Sequence, residues 1–102
     1  MRKINVTIYN EFYHEQHKPE IAAIYPGGIH QALAGFLGQE ADIGEIRMAT
    51  LENHREIIDE VCLAETDVMI WWGHVKHDDV DQAVVDRICQ RVYAGMGLIV
   101  MH

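Results

Sequence analysis

Six of the seven histidines in the chain lie at positions where their imidazoles can share one site. Five of them follow apolar runs, at residues 4–9, 68–73 and 98–101, and the sixth lies at the start of a helical pattern. Imidazole exchanges a proton near neutral pH and ligates transition metals, so a shared site could serve acid–base or metal-assisted chemistry. If the apolar runs are parallel strands, their carboxyl ends open on one crevice, where open α/β sheets bind ligands. The six residues are His14, His17, His30, His74, His77 and His102.

The densest cluster of polar side chains is the segment at residues 71–79, Trp-Trp-Gly-His-Val-Lys-His-Asp-Asp. Its two histidines are three residues apart, and side chains at this spacing on a helical turn have Cβ atoms about 5–6 Å from each other, close enough to meet one metal ion. Neutral imidazole suits zinc, whereas cations that prefer oxygen would need more carboxylates. The residues predicted to bind zinc are His14, His74, His77 and His102. Separate structural roles for these histidines are the alternative.

The loop after the first apolar run adds groups that can carry protons. Glu11 or Glu15 could act as a general base in the same crevice. His30 lies in the first turn of a helical pattern, where the positive end of the helix dipole disfavours imidazolium and keeps the ring neutral. We predict His30 and Glu11 as the catalytic residues. Simple solvation of the acidic side chains is the alternative for each carboxylate.

Substrate contacts are predicted from four residues at the same end of the sheet. The stretch Tyr-Pro-Gly-Gly at residues 25–28 indicates a turn that sets the start of a helix, and a glycine there allows close approach of the backbone to a ligand. Successive strand residues point to opposite sides, so one of Trp71 and Trp72 should pack into the core while the other faces a helix or a ligand. The predicted contacts are Asn10, Tyr25, Gly28 and Trp72.

Strand and helix patterns alternate along the chain. Strands are predicted at residues 4–10, 45–51, 67–72 and 98–101, and helices at 29–37, from about 53 to 62 and at 80–92. The run at 45–51 alternates apolar and polar side chains as an edge strand does, whereas 67–72 is continuously apolar, as a central strand is. The alternation predicts an α/β fold of the flavodoxin type, with a parallel sheet in the order 2-1-3-4 between two layers of helices. Asp78 or Asp79 is expected to cap the last helix, and residues 10–20 to form a functional loop.

Composition limits the classes of partner. The formal net charge of the 102 residues is −8, from 8 basic and 16 acidic side chains, so no basic surface is expected for nucleic acid or an anionic membrane. No apolar run approaches the roughly 18 residues of a spanning helix, and we expect a cytoplasmic protein. Cys62 and Cys89 fall in helical patterns and are expected to be reduced. Residues 1–102 are expected to be the N-terminal part of a longer α/β domain, because the chain ends with an apolar strand whose edge is open. The same open edge is compatible with a homo-oligomer.

Four stretches together resemble the ThuA-like trehalose-utilisation family, and they span nearly the whole chain. They are Asn10-Glu11…His14-Glu15, Tyr25-Pro26…Gly28-Ile29-His30, Trp71-Trp72-Gly73-His74…His77-Asp78 and Gly95-Met96-Gly97-Leu98-Ile99-Val100-Met101-His102. The resemblance implies a fold similar to that of class I glutamine amidotransferases and a role in carbohydrate metabolism. Members of the family are longer, and their fourth strand continues into a loop that contains serine and histidine.

In the amidotransferase relatives a cysteine nucleophile follows the strand that corresponds to residues 98–101, where this chain has His102. Cysteine-dependent glutamine hydrolysis is therefore not expected. The leading hypothesis is an enzyme, or an enzyme subunit, that acts on a sugar or sugar derivative in the histidine-rich crevice. Zinc would polarise a carbonyl or activate water there, and His30 or Glu11 would handle protons. A non-catalytic sugar-binding or regulatory module on the same fold is the alternative, and a half-domain without a function of its own is a third.

Overall fold

The computed structural model describes residues 2–101, which form four strands and six α-helices. The strands are β1 (Ile4–Asn10), β2 (Ile43–Thr50), β3 (Val68–Trp72) and β4 (Gly97–Met101). The helices are α1 (Tyr13–His17), α2 (Pro19–Ile24), α3 (Ile29–Leu37), α4 (His54–Ile57), α5 (Glu60–Glu65) and α6 (Gln82–Tyr93), with a 3-10 turn at His77–Asp79. None of the helices within residues 2–101 combines the length and the apolar character that crossing a lipid bilayer requires.

All four strands run parallel in the order β2-β1-β3-β4, which confirms the predicted flavodoxin-like sheet. As predicted, β2 is an edge strand and β3 is central. The register aligns the ends of neighbouring strands, because Asn10 pairs with Trp72 and Trp72 pairs with Met101. The loops that follow β1 and β3 therefore start side by side at the carboxyl edge of the sheet, where ligands bind in this architecture.

Two hydrophobic clusters lie on opposite faces of the sheet, because alternate strand residues point to opposite sides. The first packs under α5 and α6 and consists of Tyr9, Ala49, Ile58, Leu63, Met69, Val84, Ile88 and Met96. The second packs under α3 and consists of Val6, Ile8 and Ile70, with Leu33, Ala34 and Leu37 against it. Trp71 joins the first cluster, where it stacks on Tyr9 with ring centres 3.9 Å apart. Trp72, the next residue, points to the other side, as the strand alternation predicted.

The segment at residues 10–20 is not the open loop that the sequence predicted. It contains all of α1 and the first residues of α2. Helix α2 begins at Pro19, whose fixed φ suits a first helical turn. Phe12 precedes α1 with a left-handed φ of 61°, which turns the chain sharply after β1. Helices this short do not complete an apolar period, so the pattern predicted a loop.

Helix α6 is capped by Asp81, whereas the sequence predicted Asp78 or Asp79. One carboxylate oxygen of Asp81 accepts a hydrogen bond from the Ala83 N–H at 2.9 Å, and the other pairs with Arg55 Nε at 2.9 Å. These two contacts hold the pKa of the Asp81 carboxyl below its usual range, the bond from Ala83 contributing most. The predicted cap residues lie in the 3-10 turn, which delays the start of the helix.

Replacing this cap tests the assignment. Asp81→Ala is expected to lower the free energy of unfolding by about 1 kcal/mol, the typical loss for an N-cap. Asp78→Ala is the matched control, because that carboxylate makes no hydrogen bond within residues 2–101, and it should stay within about 0.5 kcal/mol of the parent. Urea unfolding followed by circular dichroism measures both variants. Equal losses would contradict the cap at Asp81.

Candidate functional site

A cavity of about 420 Å³ opens at the carboxyl ends of β1 and β3. Its volume is in the range of small-molecule sites, and it lies where the strand order predicted a crevice. Three parts of the chain supply its wall: the segment from α1 through α2, the start of α3, and the end of β3 with the loop that follows. The lining residues are His14, Lys18, Ile21, Tyr25, Ile29, Trp72 and His74.

Two histidines from different segments meet in this cavity. The ring centres of His14 and His74 are 5.2 Å apart. The ring centre of Trp72 lies 6.1 Å from that of His14 and 6.2 Å from that of His74. The Nδ1 atom of His14 is buried and has no hydrogen-bond partner within the described residues. Because a buried polar atom without a partner is costly, a ligand atom or a metal ion at this nitrogen would stabilise it.

Glu11 holds the loop that carries His74. Its carboxylate oxygens accept hydrogen bonds from the backbone N–H groups of Val75 at 2.9 Å and Lys76 at 3.0 Å. Burial raises the pKa of the Glu11 carboxyl, but the backbone hydrogen bonds and the charge of His77 together outweigh it, so this pKa lies below its usual range. A carboxylate in this state is a weak proton acceptor at neutral pH. Its contacts make Glu11 a positioning residue for His74.

Three buried polar side chains form a network behind the cavity wall. The Oδ1 atom of Asn10 accepts a hydrogen bond from the Phe12 N–H at 3.1 Å, which orients the amide. Its Nδ2 then donates to Glu15 Oε2 at 2.6 Å and to His30 Nδ1 at 3.1 Å. Because Nδ1 of His30 accepts, the ring is neutral, as predicted. The pKa of His30 lies below its usual value, mainly because the ring is buried. The negative charge of Glu15 raises this pKa, but burial outweighs it.

Gly28 and Glu15 shape the start of α3. The Oε2 atom of Glu15 accepts a hydrogen bond from the Ile29 N–H at 3.0 Å, in the first turn of the helix. Gly28 has φ 94° and ψ 161°, a backbone region that is essentially restricted to glycine. A Cβ atom at Gly28 would lie 2.5 Å from Cε1 of His30 and 2.9 Å from Cε1 of Phe12. The sequence predicted a close approach of the Gly28 backbone to a ligand. In the structure this backbone lies close to the rings of His30 and Phe12 instead.

The predicted site residues fall in different places. Those that line the cavity are His14, Tyr25, Trp72 and His74. Those that are buried behind its wall are Asn10, Glu11, Gly28 and His30. His77 lines a separate apolar groove with Trp71, against α6 and β4, so the structure does not bring it to the His14–His74 pair. His102 lies outside the described residues.

Three lining residues were not predicted from the sequence, namely Lys18, Ile21 and Ile29. A signal for the first two was present, because Lys18, Ile21 and Tyr25 are spaced by three and four residues, as on one face of a helix. Pro19 marks the first turn of that helix. The polar composition around them concealed this spacing, so the segment was interpreted as a loop.

The two imidazoles of the cavity have a separation that suits a shared zinc ion. Zinc binds imidazole nitrogen at about 2.0–2.1 Å in tetrahedral geometry, which places the centres of two ligated rings roughly 5 Å apart. The ring centres of His14 and His74 are 5.2 Å apart. Within residues 2–101, no three His, Cys, Asp or Glu side chains cluster closely enough to hold a metal ion. This pair therefore supplies two ligands, fewer than the three protein ligands of most catalytic zinc sites.

No protein-family model matches the chain, and no curated protein sequence matches it. Membership of the ThuA-like family therefore stays a prediction from the quoted motifs. The function has to be inferred from the chemistry of the cavity.

Removing the carboxylate that holds the His74 loop tests its role. Glu11→Gln is expected to lower the free energy of unfolding at pH 7 by roughly 1.5–3 kcal/mol, because hydrogen bonds to a charged group are lost. In the folded protein the pKa of Glu11 lies below its ordinary value of 4.5, so the ionised carboxylate stabilises the fold at pH values above 4.5. This contribution is lost as the pH falls from 4.5 through the folded-state pKa. The stability difference between parent and variant should therefore shrink on acidification.

Urea unfolding at several pH values measures this difference. Glu40→Gln is the control, because Glu40 is exposed and its carboxylate makes no hydrogen bond or ion pair among residues 2–101. A difference between the parent and Glu11→Gln that stays constant from pH 7 to pH 3 would contradict the role of the ionised carboxylate.

A methyl group at Gly28 should disturb the network behind the cavity. Gly28→Ala is expected to cost roughly 1–3 kcal/mol of unfolding free energy from the backbone alone, and more from the contacts with His30 and Phe12. Gly35→Ala is the matched control, since no atom lies within 4 Å of its new Cβ. That change, in the interior of α3, should stabilise the protein by up to about 1 kcal/mol. Thermal unfolding of both variants measures these changes. A Gly28→Ala protein as stable as the parent would contradict the requirement for glycine at this position.

Proposed function

We propose that the chain binds a sugar or sugar derivative in the cavity at the carboxyl ends of β1 and β3 and that His14 and His74 act on it. The observation that carries this proposal is the convergence of two imidazoles and one indole on a single cavity. The resemblance to the ThuA-like trehalose-utilisation family supports a sugar as the substrate class. The cytoplasm is the proposed location, with which free thiols at Cys62 and Cys89 agree.

The cavity wall offers the two kinds of surface that a sugar requires. Trp72 presents an aromatic surface on which the C–H groups of a sugar ring can stack, and Ile21 and Ile29 add apolar wall. The imidazoles of His14 and His74 can exchange hydrogen bonds with hydroxyl groups. A few placed polar groups in a mainly apolar wall are typical of small-molecule sites.

The two imidazoles are suited to move a proton between them and a bound sugar. One ring accepts a proton from a hydroxyl group or a carbon next to a carbonyl, while the other donates one to an oxygen. His14 has a buried Nδ1 that lacks a partner, which supports a ligand contact at that atom. Glu11 keeps His74 in place, and neutral His30 stays behind the wall in its bond to Asn10.

We propose zinc as the cofactor in a second form of the mechanism, with His14 and His74 as its ligands from the described residues. An imidazole nitrogen that ligates a metal ion cannot also accept a proton, so zinc binding and proton transfer by these two rings are alternatives. The ring separation and the unpartnered Nδ1 of His14 support this choice. When bound there, zinc would polarise a sugar carbonyl or activate water. Trp72, whose ring centre lies 6.1 Å from that of His14 and 6.2 Å from that of His74, would contact the sugar.

A thiolate mechanism is not proposed, because neither cysteine lines the cavity. Cys62 is buried in α5, where its Sγ lies 3.6 Å from the hydroxyl oxygen of Thr7. Cys89 lies on α6 beside the separate apolar groove. Both positions agree with the expectation that the chain is not a cysteine-dependent amidotransferase.

Binding and metal content test the proposal with one pair of variants. Glucose and trehalose are titrated calorimetrically into the parent protein and into the His14→Ala/His74→Ala double variant. The double variant should lose at least about tenfold in affinity, or roughly 1.4 kcal/mol, because both imidazoles leave the cavity. Elemental analysis separates the two roles of the imidazoles. Zinc near one equivalent in the parent and little in the double variant would assign them as zinc ligands, and a metal-free parent that binds sugar would assign them to proton transfer.

The control is His77→Ala, which removes a histidine that lies outside the cavity. It should keep the parent affinities and zinc content. Sugar binding that survives in the double variant, or no sugar binding by the parent, would refute the proposal. Proton NMR of the same sugars incubated with the protein separates an enzyme, which changes them, from a non-catalytic binding module, which does not.

A further inference from the structure

The wall of the cavity differs in charge from the rest of the chain. The sequence has twice as many acidic as basic residues, with 16 against 8. None of the seven lining residues is acidic, whereas Lys18 is cationic and two more, His14 and His74, carry imidazoles. A ligand in this cavity therefore meets positive or neutral groups inside a protein that is negative overall.

Two acidic side chains next to the cavity are buried and do not line it. Glu11 is buried with 4% exposure, and its two oxygens bind backbone N–H groups after β3. Glu15 is buried with 7% exposure, and one oxygen binds Asn10 Nδ2 and the Ile29 N–H. The ionisable groups that a ligand meets in the wall are therefore Lys18, His14 and His74.

Lys18 is available to a ligand. Its side chain is exposed, and no carboxylate within residues 2–101 forms an ion pair or hydrogen bond with it. A second lysine, Lys76, lies near the same end of the sheet, with Nζ 4.8 Å from the ring centre of Tyr13. Asp79 lies 3.9 Å from that amine and offsets part of its charge, so Lys18 carries the argument.

We infer that the sugar derivative bound in this cavity is anionic, with a carboxylate or phosphate group placed against Lys18, His14 and His74. The inference rests on the proposed function, since it concerns the same site. An ammonium group and two imidazoles that face an anion give charge-assisted hydrogen bonds, which are about twice as strong as neutral ones. The C–H face of the sugar ring would lie against Trp72, and the charged group of the ligand would lie towards Lys18.

Three ligands with one ring skeleton test this inference. Glucose, glucuronate and glucose 6-phosphate are titrated calorimetrically into the parent protein at low ionic strength. One of the anions should bind at least about tenfold more tightly than glucose, and this ratio should fall as salt is added. A preference for glucuronate identifies the carboxylate as the recognised group, and a preference for glucose 6-phosphate identifies the phosphate.

Lys18→Gln should bring the ratio of anion to glucose affinity close to one. Lys3→Gln is the matched control, because Lys3 is exposed next to the amino end of β1 and should leave the ratio unchanged. Glucose binding as tight as that of both anions, and lost in the His14→Ala/His74→Ala variant, would overturn the inference while supporting the proposed function. No binding of any of the three ligands would overturn both.

Discussion

Glu11 joins the end of β1 to the loop after β3, and the rest of the site depends on this contact. One buried carboxylate binds two backbone N–H groups of a loop that lies more than sixty positions away in sequence. Burial protects these charge-assisted bonds from competition by water. The path of the loop, and with it the position of His74 opposite His14, is therefore fixed by one side chain that does not itself line the cavity.

The polar groups behind the cavity and those in its wall have different physical roles. Burying polar atoms is costly unless they are hydrogen-bonded, and Asn10 meets this condition by using both ends of its amide for Phe12, Glu15 and His30. These hydrogen bonds, with the one from the Ile29 N–H to Glu15, tie α1 to the end of β1 and to the start of α3. The wall itself consists of less buried side chains, which border the cavity. The buried hydrogen bonds behind the wall thus set the shape of the cavity in front of it.

The sheet and the meeting of His14 with His74 could be predicted, because both follow from strand patterns and from the rule that parallel strands open on one crevice. The position of His77 could not. It lies three residues after His74, but the intervening turn is held by the distant Glu11, and local spacing does not show a long-range contact. Lys18 was missed for a different reason. Helices α1 and α2 have five and six residues, too few for an apolar period to stand out.

The two adjacent indoles at the end of β3 lie in different surroundings. Trp71 is partly buried and stacks on Tyr9 against the core cluster under α6, whereas Trp72 lines the cavity beside the two imidazoles. The intrinsic fluorescence of the chain therefore comes from two surroundings, one on each face of the sheet. Replacing either indole with phenylalanine would leave an emission signal that reports on one face without any added label.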